Sequence, residues 1–283
     1  MRIALATSKD WPDLTRDDQT LLRPLADRGF KAEPAVWSDP TYPWQDCDAV
    51  VIRSCWDYHL HSENFLRWIA SLESPVWNPP AIIRWNADKS YLRALEDKGI
   101  PIVPTLWFEP GQTQSLTDAL RATGWDQAVV KPRISATAHR TQLVDTASAH
   151  ASQKLFDELL AGPGVMVQKF MDEILSEGEW SLMFFSGKFS HAVLKTPQSG
   201  DFRVQSDYGG KSRAADPPGF VLDGAVRSVE AVAPTLYARV DGVVSQAQFR
   251  IMELELIEPA LFLTSHPAAS EGFADAIANA VRQ

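Results

Sequence analysis

The stretch MELELIEP (252–259) places Glu253 and Glu255 on alternate positions of a run that otherwise reads as a strand. Side chains i and i+2 share one face of a strand. The two carboxylates therefore point the same way, about 7 Å apart along the chain. Asp241, in ARVDGVV, lies shortly before them; two strands joined by a turn of about four or five residues bring it beside Glu253. Three carboxylates on adjacent strands repel one another unless a cation sits between them, and hard oxygen ligands suit magnesium or manganese. A solvated strand face is the competing reading. It fits poorly, because Ile251, Met252, Leu254, Leu256 and Ile257 make both flanks apolar.

Magnesium in enzymes commonly arrives with phosphate. The chain has no Walker A loop and no G-x-G-x-x-G. It does have lysines in apolar strands: Lys131 in AVVKPRIS and Lys195 in SHAVLKTP. Each is costly to bury without an anion, and snorkelling to solvent is the alternative. Lys89 sits in the first turn of an expected helix, facing either a phosphate or water. GDFRVQSDYGGKSR (200–213) adds Arg203, whose planar fork suits phosphate or carboxylate. It also adds Gly209 and Gly210, which can turn backbone N–H groups toward an anion. RSCWDYH (53–59) ends an expected strand, and loops at the carboxyl ends of parallel strands favour ligand sites. There Arg53, Asp57 and Tyr58 are candidates for gripping an amino-acid substrate, Arg for a carboxylate and Asp for an ammonium; an ordinary strand end with an aromatic cap is the alternative.

The elements that must position these residues follow from apolar spacing. In the first 85 residues RIALAT (2–7) and DAVVIRS (48–54) read as strands, and DDQTLLRPLADRGF and SENFLRWIASL (62–72) as helices. That alternation argues for a parallel sheet covered by helices. SPVWNPPAIIRWN (74–86) reads as a connection. Asn86 is expected to cap a helix that Gly99 and Pro101 end. Over 86–170, IVPTLWF, AVVKP and VMVQKF read as strands, SLTDALRATG and ASQKLFDELLAG as helices. From 171 onward strands dominate: EWSLMFF, FSHAVLK and FRVQ. DGAVRSVEAVAPTLY reads as a helix with Val226, Val229, Ala233 and Leu236 on one stripe. ARVDGVV and FRIMELEL form a strand pair, and PAASEGFADAIANAVRQ a closing helix. The organisation is α/β with three units: 1–85, 86–170 and 171–283.

The chain has 283 residues, 45% hydrophobic and 22% charged, with a formal charge of −9. The acidic balance argues against nucleic acid or an anionic membrane as partner. Two cysteines are too few for a disulfide framework or zinc knuckle. No apolar run spans a bilayer, and the first residues lack a signal-peptide core, so a reduced, cytoplasmic setting is the default expectation.

The order and spacing of NADKSYL, VVKP, VMVQKF before an acidic stretch, and RVDGVV followed by MELEL resemble the ATP-grasp superfamily of carboxylate–amine ligases across nearly the whole chain. KTPQSGDFRVQSDYGG is similar to the corresponding segment of bacterial glutathione synthetases. RSCWDY, VVKPRISA, GEWSL and MELELIEP together resemble a narrower group, which includes the cyclo-ligase that closes O-ureido-serine to the antibiotic cycloserine.

That resemblance implies an ATP-grasp fold and ATP held between the central and C-terminal units. Lys89 and Lys131 would contact the α/β-phosphates. The adenine would take backbone hydrogen bonds near Gln168, Lys169 and Phe170, and Glu173 or Glu177 would take the ribose. Asp241, Glu253 and Glu255 would hold one or two Mg2+ (or Mn2+) ions, while Arg203 and Lys195 neutralise the transferring phosphoryl group. The implied activity is an ATP-dependent ligase that makes an acyl phosphate and then an amide or related acyl–nitrogen bond, with a small amino-acid-like molecule as partner. A homodimer is the expected assembly if the chain assembles. Two departures stand out. Glu255 occupies a position where the family has Asn. The loop after the strand lysine, normally glycine-rich, is SATAHRT, in which Ser135 and Thr137 offer hydroxyls instead. Intramolecular ring closure and a non-catalytic ATP-binding module are the competing functions.

Overall fold

The computed structural model describes residues 1–205 and 208–282. Ser206 and Asp207, within the 200–213 segment, and Gln283, the last residue of the expected closing helix, lie outside the described residues.

Three sheets organise the chain. The first is parallel, in the order β2-β1-β3-β4, from β1 (Arg2–Thr7), β2 (Lys31–Val36), β3 (Ala49–Ile52) and β4 (Val76–Trp77). Its middle strands are apolar on both faces because helices cover both sides. The expected single helix before Gly29 is two short ones, α1 (Arg16–Gln19) and α2 (Leu22–Asp27). α3 (Ser62–Ser71) buries Phe65 and Ile69, one turn apart, against the sheet. The 74–86 stretch is not merely a connection: it contains β4 and α4 (Pro80–Asn86), with proline at the first turn where its missing N–H costs nothing. Asn86 is not a helix cap either. Its amide donates to the Leu254 carbonyl (2.8 Å) and accepts from the Leu256 N–H (2.8 Å), clamping the edge of the acidic strand. The following helix, α5 (Tyr91–Asp97), starts later.

The second sheet is antiparallel, ordered β5-β8-β6-β7, from β5 (Thr105–Phe108), β6 (Gln127–Pro132), β7 (Gln142–Asp145) and β8 (Val165–Lys169). α6 (Leu116–Thr123) and α7 (Ala149–Leu160) cover it. α6 is bounded as its sequence dictates: the Ser115 hydroxyl accepts from the Asp118 N–H, and Gly124 ends it at φ +67°.

The third sheet is antiparallel, ordered β11-β10-β9-β12-β13, from β9 (Glu179–Phe185), β10 (Lys188–Thr196), β11 (Lys211–Ala214), β12 (Tyr237–Ser245) and β13 (Gln248–Glu255). The short α8 (Glu173–Ser176) precedes β9. FRVQ (202–205) forms no strand; β11 takes the edge instead. The next helix, α9 (Gly219–Glu230), runs earlier than its sequence stripe suggested, and Ala233 and Leu236 lie beyond its end. α10 (Ala269–Val281) closes the chain.

Packing crosses the sheet divisions. Phe273 and Ile277 of α10 share a core with Ile3, Leu5 and Leu21 of the first unit. Leu92 and Leu95 of α5 share one with Leu182 and Phe184 of the third sheet. The first contact fixes the first unit against the third, and the second fixes α5 of the central unit against the third sheet.

Candidate active site

The acids sit on the β12–β13 hairpin. Its turn is two residues, Gln246 and Ala247, at φ +52° and +57°, rather than the longer turn expected. The register pairs Asp241 with Glu253 and Arg239 with Glu255. A bulge follows Asp241, where Gly242 is required: a Cβ there would meet the Arg250 carbonyl oxygen at 2.5 Å. Carboxylate oxygens of Asp241, Glu253 and Glu255 all lie within 4.8 Å of one another.

A cation does stand among them, and it belongs to the protein. Arg239, two residues before Asp241 and on the same face, donates through Nε (3.0 Å) and Nη2 (2.8 Å) to Asp241 Oδ2. Nη2 also reaches Glu255, and Nη1 donates to the Ala260 carbonyl at 3.0 Å. The sequence carried this signal in the i, i+2 spacing of RVD. Burial opposes ionisation of Asp241, yet the Arg239 and Lys195 charges hold its carboxyl at about 2. Burial wins at Glu255, pushing it up to about 7 against the pull of Arg239. Glu253 is lowered: burial opposes, and the Lys89 and Lys131 charges prevail.

The predicted lysines converge on the same cleft, which encloses about 300 Å3 between the three sheets. Lys89 Nζ lies 2.8 Å from Glu253 Oε1 and donates to the Ser135 carbonyl at 2.6 Å. Lys131 Nζ donates to Gln168 Oε1 at 3.1 Å, and burial lowers its pKa. Lys195 contacts Glu179 and lies 3.4 Å from Asp241 Oδ1.

Several candidates stand elsewhere or act differently. Glu173 and Glu177 do not line the cleft; α8 turns Ile174 inward and its acids away. The acid that lines it is Glu179, the first residue of β9, opposite Lys195 in register. Gln168, Lys169 and Phe170 line the cleft, but the N–H groups of Lys169 and Phe170 already donate to Pro104 (2.8 Å) and Gln127 (3.0 Å). Those two donors are not open to a base. Met171, next along, lines the cleft, and its N–H makes no hydrogen bond among the described residues. Ser135 lines the cleft with its hydroxyl bonded to the Pro132 carbonyl (3.2 Å). Its loop lacks glycine yet holds Thr137, Ala138 and Arg140 at φ +51°, +56° and +53°, conformations that glycine adopts without strain.

Arg203 lines the cleft, but its fork is folded onto Asp201 (2.7 and 3.0 Å) and its guanidinium carbon stands 3.6 Å from the Tyr208 ring centre. Gly209 and Gly210 lie in the same segment, each packed closely against a neighbour. A Cβ at Gly209 would meet Gln198 Oε1 at 2.0 Å, and one at Gly210 the Val204 carbonyl oxygen at 2.1 Å. Gly210 also lines the cleft; Gly209 does not.

Of the three substrate candidates in the first unit, only Tyr58 lines the cleft. Arg53 is 1% exposed and structural. Its Nε donates to Asp18 Oδ1 and its Nη2 to the Pro259 carbonyl, both at 2.8 Å, between the rings of Tyr237 and Phe273. Asp57 accepts from Trp37 Nε1 (2.7 Å) and lines a separate surface pocket. Trp56, Tyr58, Phe262 and Glu258 form the wall of the cleft toward the first unit.

Residues 3–78 match the family described as the N-terminal domain of D-cycloserine synthetase DcsG. The whole chain is 29% identical to the cycloserine biosynthesis protein DcsG of Streptomyces lavendulae, covering 99% of both chains. The crystal structure of D-cycloserine synthetase DcsG superposes with a TM-score of 0.89 at 27% identity, over 99% of this chain and 100% of that one. D-alanine–D-alanine ligase from Bacillus anthracis gives 0.73 at 16% identity, over 100% and 97%. The ATP-grasp ligase PsnB gives 0.66 at 17% identity, over 99% and 98%. The last two likenesses are of fold.

Proposed function

We infer that this chain, homologous over its full length to DcsG and built on the fold of ATP-grasp ligases, is an ATP-dependent ligase. It activates a small amino-acid-like carboxylate and joins it to nitrogen as an amide or related acyl–nitrogen bond, with release of ADP and phosphate. One observation carries the reading: a single cleft gathers three carboxylates within 4.8 Å of one another, the buried side chains of Lys89, Lys195 and Arg239, and the half-buried Lys131.

The donor set fits a hard divalent cation, since all three ligands are carboxylate oxygens. Magnesium with ATP supplies the phosphoryl group and a share of the charge neutralisation. The protein supplies position. Lys89 and Lys131, at the mouth of the central sheet, hold phosphate oxygens. Lys195 and Arg239 stand on the strands that carry the acids, where charge develops on transfer. Each of Lys89, Lys195 and Arg239 now rests on a carboxylate. With a divalent cation held by Asp241, Glu253 and Glu255, the basic groups Lys89, Lys195 and Arg239 would be free to turn to phosphate. Glu179 takes the ribose role first given to Glu173 or Glu177, and Met171 offers the backbone N–H for the base. Phe170, Trp56 and Phe262 keep water out. Both cysteines are free and buried, in keeping with a reduced compartment, and the reaction needs neither.

The test is incubation with magnesium–ATP and a panel of small amino acids, O-ureido-serine among them, scored for ADP release with product masses. A productive substrate should release ADP in step with a product lighter than its precursors by one water or, where O-ureido-serine closes to cycloserine and sheds its carbamoyl group, lighter by the elements of carbon dioxide and ammonia. If one compound suffices, the bond closes within a molecule; if two are required, it joins them. Failure of AMPPNP to bind, with no ADP release from any compound, overturns the reading.

A further inference from the structure

Among the described residues, every acid lining the cleft has a cation beside it except one. Glu179 faces Lys195, Asp241 faces Arg239 and Lys195, Glu253 faces Lys89, and Glu255 faces Arg239. Glu258 is 9% exposed and lines the same cleft. Among the described residues its carboxylate makes no ion pair and no side-chain hydrogen bond; the only side chain bonded to the residue, Trp56, uses the backbone carbonyl.

The backbone around Glu258 is held with unusual completeness. Three successive carbonyls each accept from a side chain: Glu258 from Trp56 Nε1 (2.9 Å), Pro259 from Arg53 Nη2 (2.8 Å) and Ala260 from Arg239 Nη1 (3.0 Å). The donors come from the first unit and from β12, so the segment cannot swing to find an internal partner. A carboxylate fixed in this way, with Trp56, Tyr58 and Phe262 around the same wall, is a poor arrangement for stability. Burial and the neighbouring Glu255 push its pKa well up against the weaker pull of Lys89, which makes no ion pair with it. It is a good arrangement for a cationic group entering the cleft, because aromatic walls favour cations and the site is formed before binding.

We propose that Glu258 receives the ammonium group of the amino-acid-like substrate and thereby selects amino acids over carboxylates that lack nitrogen there. This assignment rests on the ligase reading above. It replaces the ammonium role expected of Asp57, which is bonded to Trp37 outside the cleft. Glu258 sits three residues beyond Glu255, so an ammonium held there lies on the metal-acid side of the cleft, where the carboxylate must be activated.

The experiment measures binding to protein saturated with magnesium–AMPPNP, using serine and O-ureido-serine, each against its des-amino counterpart, 3-hydroxypropanoate and 3-(ureidooxy)propanoate. Wild type should favour at least one amino compound over its counterpart by about 10- to 100-fold, the range of a charge-assisted hydrogen bond. Glu258→Gln should erase that preference and leave AMPPNP affinity unchanged. Equal preference in wild type and variant, or no preference in wild type, overturns the proposal even when AMPPNP binds and the ligase reading stands. Loss of AMPPNP binding by wild type overturns both. Thermal melting gives a second check. Replacing a buried carboxyl that has no partner should leave the ligand-free protein as stable or more so, and a lowered Tm for Glu258→Gln would reveal an internal partner and refute the assignment.

Discussion

Lys89 Nζ lies 2.8 Å from Glu253 Oε1, so a lysine near the start of the central unit is tied to the strand that ends the acidic hairpin. Burial opposes the Lys89 charge and Glu253 more than restores it, leaving its pKa raised; the same pair lowers Glu253. Both shifts favour the charged forms of the two groups. Glu253→Gln should cut turnover about 10^3-fold or more, as expected when a group aimed at developing charge is lost. ADP release and AMPPNP titration, with circular dichroism as a fold check, would measure it; turnover near wild type would remove Glu253 from the site.

Asp241 should behave differently from Glu253 in stability. Its side chain is 4% exposed and paired with both Arg239 and Lys195, whereas that of Glu253 is 27% exposed. Breaking a buried pair leaves uncompensated charge and costs about 3–5 kcal/mol. Asp241→Asn should therefore lose activity and also melt at a clearly lower temperature than Glu253→Gln. Equal melting temperatures for the two would contradict the buried network.

Arg239→Lys keeps the charge but not the planar fork that spans Asp241, Glu255 and the Ala260 carbonyl. Turnover should fall about 10^2- to 10^3-fold with KM for ATP little changed. A lysine variant with full activity would show that the fork is dispensable.

Arg53→Ala separates a structural arginine from a substrate-gripping one. It should lower stability by about 3–5 kcal/mol, because Asp18 stays buried without its partner. Any rise in KM for the amino-acid substrate should come only together with that loss of stability, since Arg53 also holds the Pro259 carbonyl beside Glu258. A raised KM with unchanged stability would return Arg53 to the substrate site.

The glycine-free loop offers a gain. Ala138 at φ +56° is in the left-handed region, where a non-glycine residue costs about 1–2 kcal/mol, and glycine gives back about 0.5–1 through its freer unfolded chain. Ala138→Gly should stabilise by up to about 1 kcal/mol in chemical denaturation. Destabilisation would mean that loop contacts outweigh the backbone.

His191 sets an acid limit on stability. Burial lowers its pKa below the ordinary 6.5, and its ring nitrogens are engaged by Ser190 and by the Leu261 and Phe262 carbonyls. The folded protein keeps it neutral while the unfolded chain takes up a proton, so the stability it confers is full above pH 6.5 and declines as pH falls from there toward the lowered value. Tm should drop more between pH 7.5 and 5.5 in wild type than in His191→Gln; parallel drops would exclude His191 as the cause.

The local pattern of the chain determined which acids share one face of the hairpin. Alternation on an apolar strand put Glu253 and Glu255 on one face, and the strand pair set Asp241 beside Glu253. The strand lysines were legible for the same reason: a charge in an apolar run needs an anion. Tertiary structure alone decided what each side chain meets. Strand period shows which face a residue takes, not what is packed against it. Arg53 and Asp57 left the candidate site because α1, Trp37 and the Pro259 carbonyl arrive from elsewhere in the chain. Glu179 displaced Glu173 and Glu177 because α8 rotates its acids outward before β9 begins. Glu258, in plain view within MELELIEP, gained significance only when the cations around it proved to be spoken for by other acids.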